Sequence, residues 1–417
     1  MKINKIINIE FFVIIFFIFI SLLQLLFIIK THMFIGDFFP WKVNVPNETI
    51  FIAFTSQIFL YFFAYKFYKY FIRDKHFFKA NLKLNKRIYI FIDYFFISLL
   101  ILNIFFFLKG YINTTGTYKV NEFSFIIHIF SIDALFPIYY FLNRGKTNNF
   151  FYLLNICIYI LFDIFEGNTS IILNVFIYEL YFVTNQKIKT KYLFLIPITL
   201  IAGIFLYQIV YPLKFAIRNH LNILNIIPIP FIMSSQFLIG RLSSFGNFIA
   251  IIQYKNKLLT LFNRILPLNF EILKFIRMQI PSFISTKIFP KSIFFHDIGY
   301  VLWILRIGYM PNGVTHPTSL APTLLGTLYL LFLRNPLELI LTVLFTFCVI
   351  FYIKIILDTF GNKNVFFPFY FIIIQFINET GTVSGAFGEL FFSITSFFLV
   401  LLFFKALTSP FLIKKID

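Results

Sequence analysis

Eleven apolar runs, most of them about as long as a membrane is thick, constrain this chain more than any other feature. At 1.5 Å per residue, about 20 helical residues cross the hydrocarbon core of a bilayer. Only 13% of the residues are charged, about half the share usual in soluble domains. We therefore predict an all-α polytopic integral membrane protein with about ten to twelve transmembrane helices. The runs are 7–29, 50–71, 88–108, 123–142, 150–166, 169–185, 192–212, 319–333, 337–357, 365–378 and 387–406.

The positions of Lys and Arg orient the first half of the chain. Basic connections at 69–87, 144–146 and 187–191 alternate with connections that are poor in basic residues. The positive-inside rule places the basic ones in the cytoplasm, and with them the N-terminal end of the first run. No small-residue cleavage site follows that run, which predicts an uncleaved span.

The orientation of the C-terminal half stays open. Arg334 and the pair Lys414 and Lys415 all predict cytoplasmic ends, which eleven spans do not satisfy together. Either one segment is re-entrant, or the long central connection contains a further span, for example within 222–240.

A long, strongly basic connection divides the chain into three parts. We predict N-terminal transmembrane helices in 1–212, a periplasmic connection with amphipathic helices in 213–317, and C-terminal transmembrane helices in 318–417, all within one membrane domain. The connection carries eleven basic and two acidic residues, and apolar residues recur at helical spacing within 248–278. Two readings remain: a surface solvated at headgroup depth, or a site for a polyanion.

Four sequence pieces resemble the Wzy-type polymerases of O-antigen and other oligosaccharide repeat units. They are a hairpin with a glycine turn, an exit arginine, a stretch with Pro and Lys, and a Thr-x-x-Pro segment that opens a span. In this chain the pieces read FDIFEGNTSIILNVFIYELYF (162–182), LKFAIRNH (213–220), IPSF…FPKS (280–292) and THPTSLAPTLLGTLYLLF (315–332). The chain departs from the family pattern at Asn168, Ser282 and Thr327, where the family has Arg, Arg and Glu.

The resemblance implies a GT-C-like glycosyltransferase in the bacterial inner membrane, with a cytoplasmic N-terminus and an active site at the periplasmic face. Its substrates would be undecaprenyl-diphosphate-linked oligosaccharides, and no nucleotide sugar would be needed. Further implied partners are membrane lipids and a chain-length-regulating membrane protein, and no nucleic acid is expected. We predict no cofactor and no metal, since 213–317 contains no DxD motif.

Cations are expected to stabilise the departing diphosphate. We assign Arg218 and Arg241 to catalysis, and the latter lies among small residues, IGRLSSFG, that would let a phosphate approach the backbone. Diphosphate binding is assigned to Arg277, Lys287 and Lys291.

The stretch GYMPNGVTHPTSLAPTLLG (308–326) places a lone histidine beside a predicted helix start. An imidazole ordinarily titrates near neutrality, so His316 is the candidate acceptor of the hydroxyl proton, or a donor to the diphosphate. Thr318 or Ser319 is the candidate N-cap, and the helix N-terminus would favour an anion.

Other polar residues lie within the apolar runs, where ionisable groups are costly and often functional. They are Asp93, His128, Asp133, Asp163 and Glu179. Asp163 shares a helical face with Glu166, either for acceptor binding or for helix packing. The two cysteines, Cys157 and Cys348, are expected to be buried packing residues.

Three other functions are compatible with the pattern. An O-antigen ligase would have the same long connection. A flippase or transporter for the same lipid-linked unit would show an inverted repeat and broken midplane helices, and neither is evident in the sequence. A structural or assembly protein would carry out no chemistry.

Overall fold

The computed structural model describes residues 6–74, 82, 84–111, 129–146, 149–166, 170–184, 186–218, 227–280, 282–289, 297–308 and 320–408. Two short strands, β1 (Ile6–Asn8) and β2 (Lys187–Lys189), pair antiparallel, and the rest is mainly helical. The first helices are α1 (Ile9–Thr31), α2 (Asn47–Phe67), α3 (Lys86–Leu108), α4 (Ile132–Asn143), α5 (Asn149–Phe165), α6 (Ser170–Val183) and α7 (Leu195–Arg218). They are followed by α8 (Phe231–Leu242), α9 (Phe245–Gln253), α10 (Lys255–Ile265), α11 (Phe270–Met278), α12 (Ser282–Ile288) and α13 (Ile298–Ile307). The last are α14 (Leu324–Arg334), α15 (Pro336–Thr359), α16 (Phe366–Gln375) and α17 (Val383–Thr408).

Among the described residues, six helical segments are long and apolar enough to cross a membrane, which is consistent with the predicted all-α membrane protein. They are Ile9–Thr31, Asn47–Arg73, Lys86–Leu108, Tyr192–Leu213, Pro336–Thr359 and Val383–Thr408, and each corresponds to one predicted run. The other five runs coincide with shorter helices among the described residues. The 11 residues of α14, for example, extend only about 16 Å, roughly half the hydrocarbon thickness.

Helices α1 and α2 take part in both of the large hydrophobic cores. The N-terminal half of α1, with Ile9, Val13 and Phe17, packs into a core that includes α3 to α6 and α15 to α17. Its C-terminal end, with Leu25 and Ile28, packs into a second core built mainly from α9 to α11, α13 and α14. The central basic connection is therefore packed against the C-terminal end of α1.

Amphipathic helices account for that packing. In α10, Leu258, Phe262 and Ile265 are buried, while Lys255 and Arg264 on the other face are exposed, as the helical period requires. The predicted amphipathic range 248–278 is three helices, because the chain turns at Tyr254 and at 266–269. Nearly all of α9 is buried, so the apolar stripe widens into a fully packed helix there.

The predicted start of α14 was wrong. Helix α14 begins at Leu324, and its N-cap is Thr323, whose Oγ1 accepts a hydrogen bond from Gly326 N at 3.0 Å. The cap was predicted at Thr318 or Ser319, but residues 320–323 are not helical.

Both cysteines are exposed on the outer faces of apolar helices. The prediction that they are buried is therefore wrong, because an apolar helix face in a membrane protein can face lipid as well as protein.

Several ionisable groups within the runs pair with other side chains of the helix bundle. Asp93 accepts hydrogen bonds from Tyr139 Oη at 2.8 Å and from Asn143 Nδ2 at 2.7 Å. Glu179 pairs with Arg144 in a two-pronged salt bridge. These contacts join α3, α4 and α6, so we interpret both acids as packing residues. His128 lies outside the described residues.

Candidate functional site

The loop after α1 closes tightly against the end of α8. Gly36, with φ of 81°, packs its backbone on Gly240, and a methyl group built on Gly240 would lie 2.8 Å from Gly36 N. At Gly246 an added methyl would lie 2.7 Å from the carbonyl oxygen of Ile35. The small residues around Arg241 were predicted to admit a phosphate. Two of them instead admit the backbone of this loop.

A buried glutamine of α1 fixes the turn between α8 and α9. Gln24 Nε2 donates to Ile239 O at 2.6 Å and also to Ser243 O, and its Oε1 accepts from Gly246 N at 2.9 Å. Gln24 is fully buried, where an amide that lost these partners would be costly. This contact positions Arg241 relative to the end of α1.

Asp37, in the same loop, is the centre of a polar group. Its Oδ2 accepts a hydrogen bond from Asn247 Nδ2 at 2.9 Å, and its Oδ1 lies 3.7 Å from Arg241 Nη2. Arg306 donates from Nε to the backbone oxygen of Asp37 at 3.1 Å and from Nη2 to that of Phe39 at 3.2 Å. We call Asp37, Arg241, Asn247 and Arg306 the arginine cluster.

The arginine cluster carries two positive charges and one negative charge. The side chain of Asp37 is 12% exposed, whereas that of Arg241 is 65% exposed. The guanidinium of Arg306 lies 5.0 Å from the centre of the Trp41 ring, a cation–π contact that adds to the two carbonyl contacts. The arginine cluster therefore has a net positive charge. Arg306 is held in place by two carbonyl oxygens, and the exposed Arg241 is accessible to an anion.

The segment that contains the predicted histidine is flanked by this cluster. Asn247 Nδ2 also donates to Ala321 O at 2.8 Å, and Leu320 N donates to Gly299 O at 3.1 Å. Arg306 lies two residues before Gly308, the last described residue on the other side. His316, Thr318 and Ser319 themselves lie outside the described residues.

The other predicted cations lie on separate elements. Arg218 is the final residue of α7, and the structure describes its backbone only. Arg277 is half-buried near the end of α11, and burial lowers its pKa to about 10. Lys287 is exposed on α12, and Lys291 lies outside the described residues.

The end of α11 docks on α17. Gln279 Nε2 donates to Gly388 O at 3.1 Å, and Met278 fills the space beside Gly388. Arg277 is therefore positioned near the N-terminal part of α17, and its relation to a diphosphate stays a prediction.

Three carboxylates form a second polar group, which we call the acidic cluster. The ligand oxygens of Asp133, Asp163 and Glu166 lie within 4.8 Å of one another. Tyr159 Oη donates to Asp133 Oδ1 at 2.8 Å. Like charges at this spacing repel one another, and a shared proton or a bound cation would relieve that repulsion. The sequence paired Asp163 with Glu166 but did not place Asp133, which comes from the neighbouring α4, beside them.

Sequence reasoning selected Arg241 but not its three companions. Asp37 contacts Asn247 and Arg306, which lie 210 and 269 residues further along the chain. The one available signal was Asp37, a single acid in the otherwise apolar turn FIGDFFPW between two spans.

Known proteins give no independent identification. No family model, no curated protein and no solved structure matches this chain. The arginine cluster, the acidic cluster and the sequence resemblance are therefore the features that indicate a function.

Proposed function

We propose that the protein polymerises undecaprenyl-diphosphate-linked oligosaccharide units at the periplasmic face of the inner membrane. The observation that carries this proposal is the arginine cluster at the C-terminal end of a candidate span, with Arg241 exposed beside Asp37. A lipid diphosphate presents its charge at this depth, and paired guanidinium groups bind phosphate oxygens through planar, two-pronged hydrogen bonds. The resemblance to Wzy-type polymerases supplies the substrate class.

In the proposed step, a hydroxyl oxygen of the acceptor sugar bonds to the anomeric carbon of the growing chain. The bond from that carbon to the diphosphate oxygen breaks, and undecaprenyl diphosphate leaves with the electron pair. Arg241 and Arg306 stabilise the charge that develops on the leaving group. Asp37 and Asn247 position Arg241, and the carbonyls of Asp37 and Phe39 position Arg306.

The hydroxyl proton needs an acceptor. His316 is the proposed base. It lies outside the described residues, but the described chain before it contains Arg306 and the described chain after it contains Ala321, which contacts Asn247 of the arginine cluster. An imidazole titrates near neutral pH, so it accepts a proton and releases it again at low cost.

The test uses purified protein and a lipid-linked repeat unit, without nucleotide sugar, and measures polymer length on a gel. Arg241→Ala should lower the rate about 100- to 1000-fold, the usual effect of removing one donor to a developing charge. Arg264→Ala is the matched control, because Arg264 is an exposed arginine of α10 that makes no contact with the arginine cluster among the described residues. Equal rates for the two variants would remove Arg241 from the site.

The assay also separates the alternative enzyme. A ligase would transfer a preformed glycan to lipid A core and leave repeat units unpolymerised. Offering both acceptors to the same preparation therefore distinguishes the two activities by product size.

One observation favours a transporter as the second candidate. Helix α14 is only half the length of a span, and its N-cap Thr323 lies against Gly381. Gly381 directly follows the π-helical turn Phe376–Thr380, which ends α16. Interrupted helices of this kind form substrate sites in secondary transporters. Movement of a labelled lipid-linked unit across a vesicle membrane, with no glycosidic bond formed, would support this alternative over the polymerase.

A further inference from the structure

An apolar groove lies between α1, α6 and α7, away from both clusters described above. Its volume is about 430 Å³, within the usual range for small-molecule sites. The walls are apolar side chains from all three helices, among them Phe12, Phe16, Phe176, Leu180 and Ile196. Phe176 is 47% exposed, so the groove is accessible from the outer face of the helix bundle.

Two lysines stand at the mouth of this groove. Lys187 and Lys189 both line it, and both are exposed on β2, while Ile188 between them is buried. Side chains two residues apart on a strand point to the same side, so the two ammonium groups share one face. Neither forms a salt bridge with another residue in the described part of the chain.

The backbone of β2 is held at the membrane boundary. It pairs with β1 through Ile6↔Lys189, Ile7↔Ile188 and Asn8↔Lys187. Since α1 begins at the next residue, Ile9, and is a candidate span, the strand pair lies at the depth where lipid phosphates occur. Tyr192, another lining residue, is 40% exposed, as is common for aromatic residues in the headgroup region.

We propose that this groove binds one acidic phospholipid, with an acyl chain along the apolar walls and the headgroup phosphate between Lys187 and Lys189. The proposal is independent of the proposed transferase activity. The groove opens at the N-terminal end of α1, whereas the arginine cluster lies beyond the C-terminal end of that 23-residue helix, about 35 Å away along its axis. The bound lipid therefore belongs to the opposite leaflet from a diphosphate at the arginine cluster.

The experiment is native mass spectrometry of the full chain, purified in detergent with equal amounts of dioleoyl phosphatidylglycerol and dioleoyl phosphatidylcholine. Each lysine near the lipid surface contributes roughly fivefold in affinity for an acidic headgroup, so wild type should retain phosphatidylglycerol about 25-fold over phosphatidylcholine. In Lys187→Gln/Lys189→Gln the ratio should fall to about one, and each single variant should lose about fivefold.

The matched control is Lys255→Gln/Lys257→Gln, which removes two exposed lysines at the same spacing from α10. This control should keep the wild-type ratio. Thr199→Trp places a large ring on the groove wall and should release the bound lipid while both lysines remain. Equal retention of the two lipids by wild type, or the same loss of preference in the control, would overturn the proposal. The single variants remain informative if the double variant does not fold.

Discussion

The contact between Gly240 and Gly36 allows a direct test of the site. Replacing glycine by alanine should stabilise the protein at Gly203 and destabilise it at Gly240, although both positions are helical. Alanine in place of glycine inside a helix usually stabilises by about 0.5–1 kcal/mol. Gly203→Ala in α7 should show this gain, since an added methyl would contact only Leu238 Cδ2, at 3.5 Å. At Gly240 the methyl would overlap the Gly36 backbone, 2.8 Å from its nitrogen. Ordinary contact needs about 3.5–4 Å, so the loop must move by about 1 Å.

Gly240→Ala should therefore be less stable than Gly203→Ala by the cost of overpacking, about 1–3 kcal/mol. The displaced loop carries Asp37, so the 3.7 Å approach of Arg241 to Asp37 is lost. A misplacement of about 1 Å at a site of this kind lowers a rate about 100-fold. Chemical unfolding in detergent and the polymer assay measure the two effects. If Gly240→Ala gains stability like Gly203→Ala and keeps its rate, the packing argument is wrong.

Four further predictions concern a pH dependence, a buried ion pair, the proposed base and the need for a metal. Burial raises the pKa of Glu271 to about 8, so the folded state holds a proton that the unfolded state releases above about pH 4.5. The unfolding free energy should fall by up to about 1.4 kcal/mol per pH unit between pH 4.5 and 8, and Glu271→Gln should flatten that slope. Lys354 and Asp358 form a fully buried pair in α15; Lys354→Met should cost about 3–5 kcal/mol in chemical unfolding, and Lys354→Met/Asp358→Leu should recover most of it. His316→Ala should abolish polymer formation with the protein still folded, and a full-length ladder from this variant would exclude the proposed base. Polymer formation should continue in excess chelator, and a loss that added Mg²⁺ restores would contradict the predicted metal independence.

Six of the eleven apolar runs correspond to described helices that are long enough to cross a membrane, because length and hydropathy are local properties. The run at 7–29 corresponds to the helix Ile9–Thr31, and the run at 337–357 corresponds to the helix Pro336–Thr359. Hydropathy alone did not distinguish a half-length helix such as α14 from a spanning one, since Pro322 disfavours helix at the residue before it and α14 begins only at Leu324. The exposed Cys157 and Cys348 show why apolar neighbours in the sequence do not establish that a residue is buried.

The candidate site was less predictable because its contacts join distant parts of the chain. Arg241 stood out by charge in the central connection, but its approach to Asp37 depends on Gln24 holding the turn after α8. Arg306 looked like one more surface cation until the loop carbonyls at Asp37 and Phe39 identified its neighbours. Periodicity predicts which face of a helix is buried but not which element packs against it. The proximity of Asp133 to Glu166 could therefore not be predicted either.

The pairing of β1 with β2 has a consequence for how the protein is made. Residues Ile6–Asn8 emerge from the ribosome long before Lys187–Lys189, to which they bind. At 5–20 residues per second, about 180 residues take roughly 10–40 s to synthesise. During that interval α1 enters the bilayer without the β1–β2 pairing that later holds its N-terminal end. Its insertion must therefore rely on hydrophobicity and flanking charge alone, and a bulky fusion placed before Ile6 should impair the later closure more than the insertion itself.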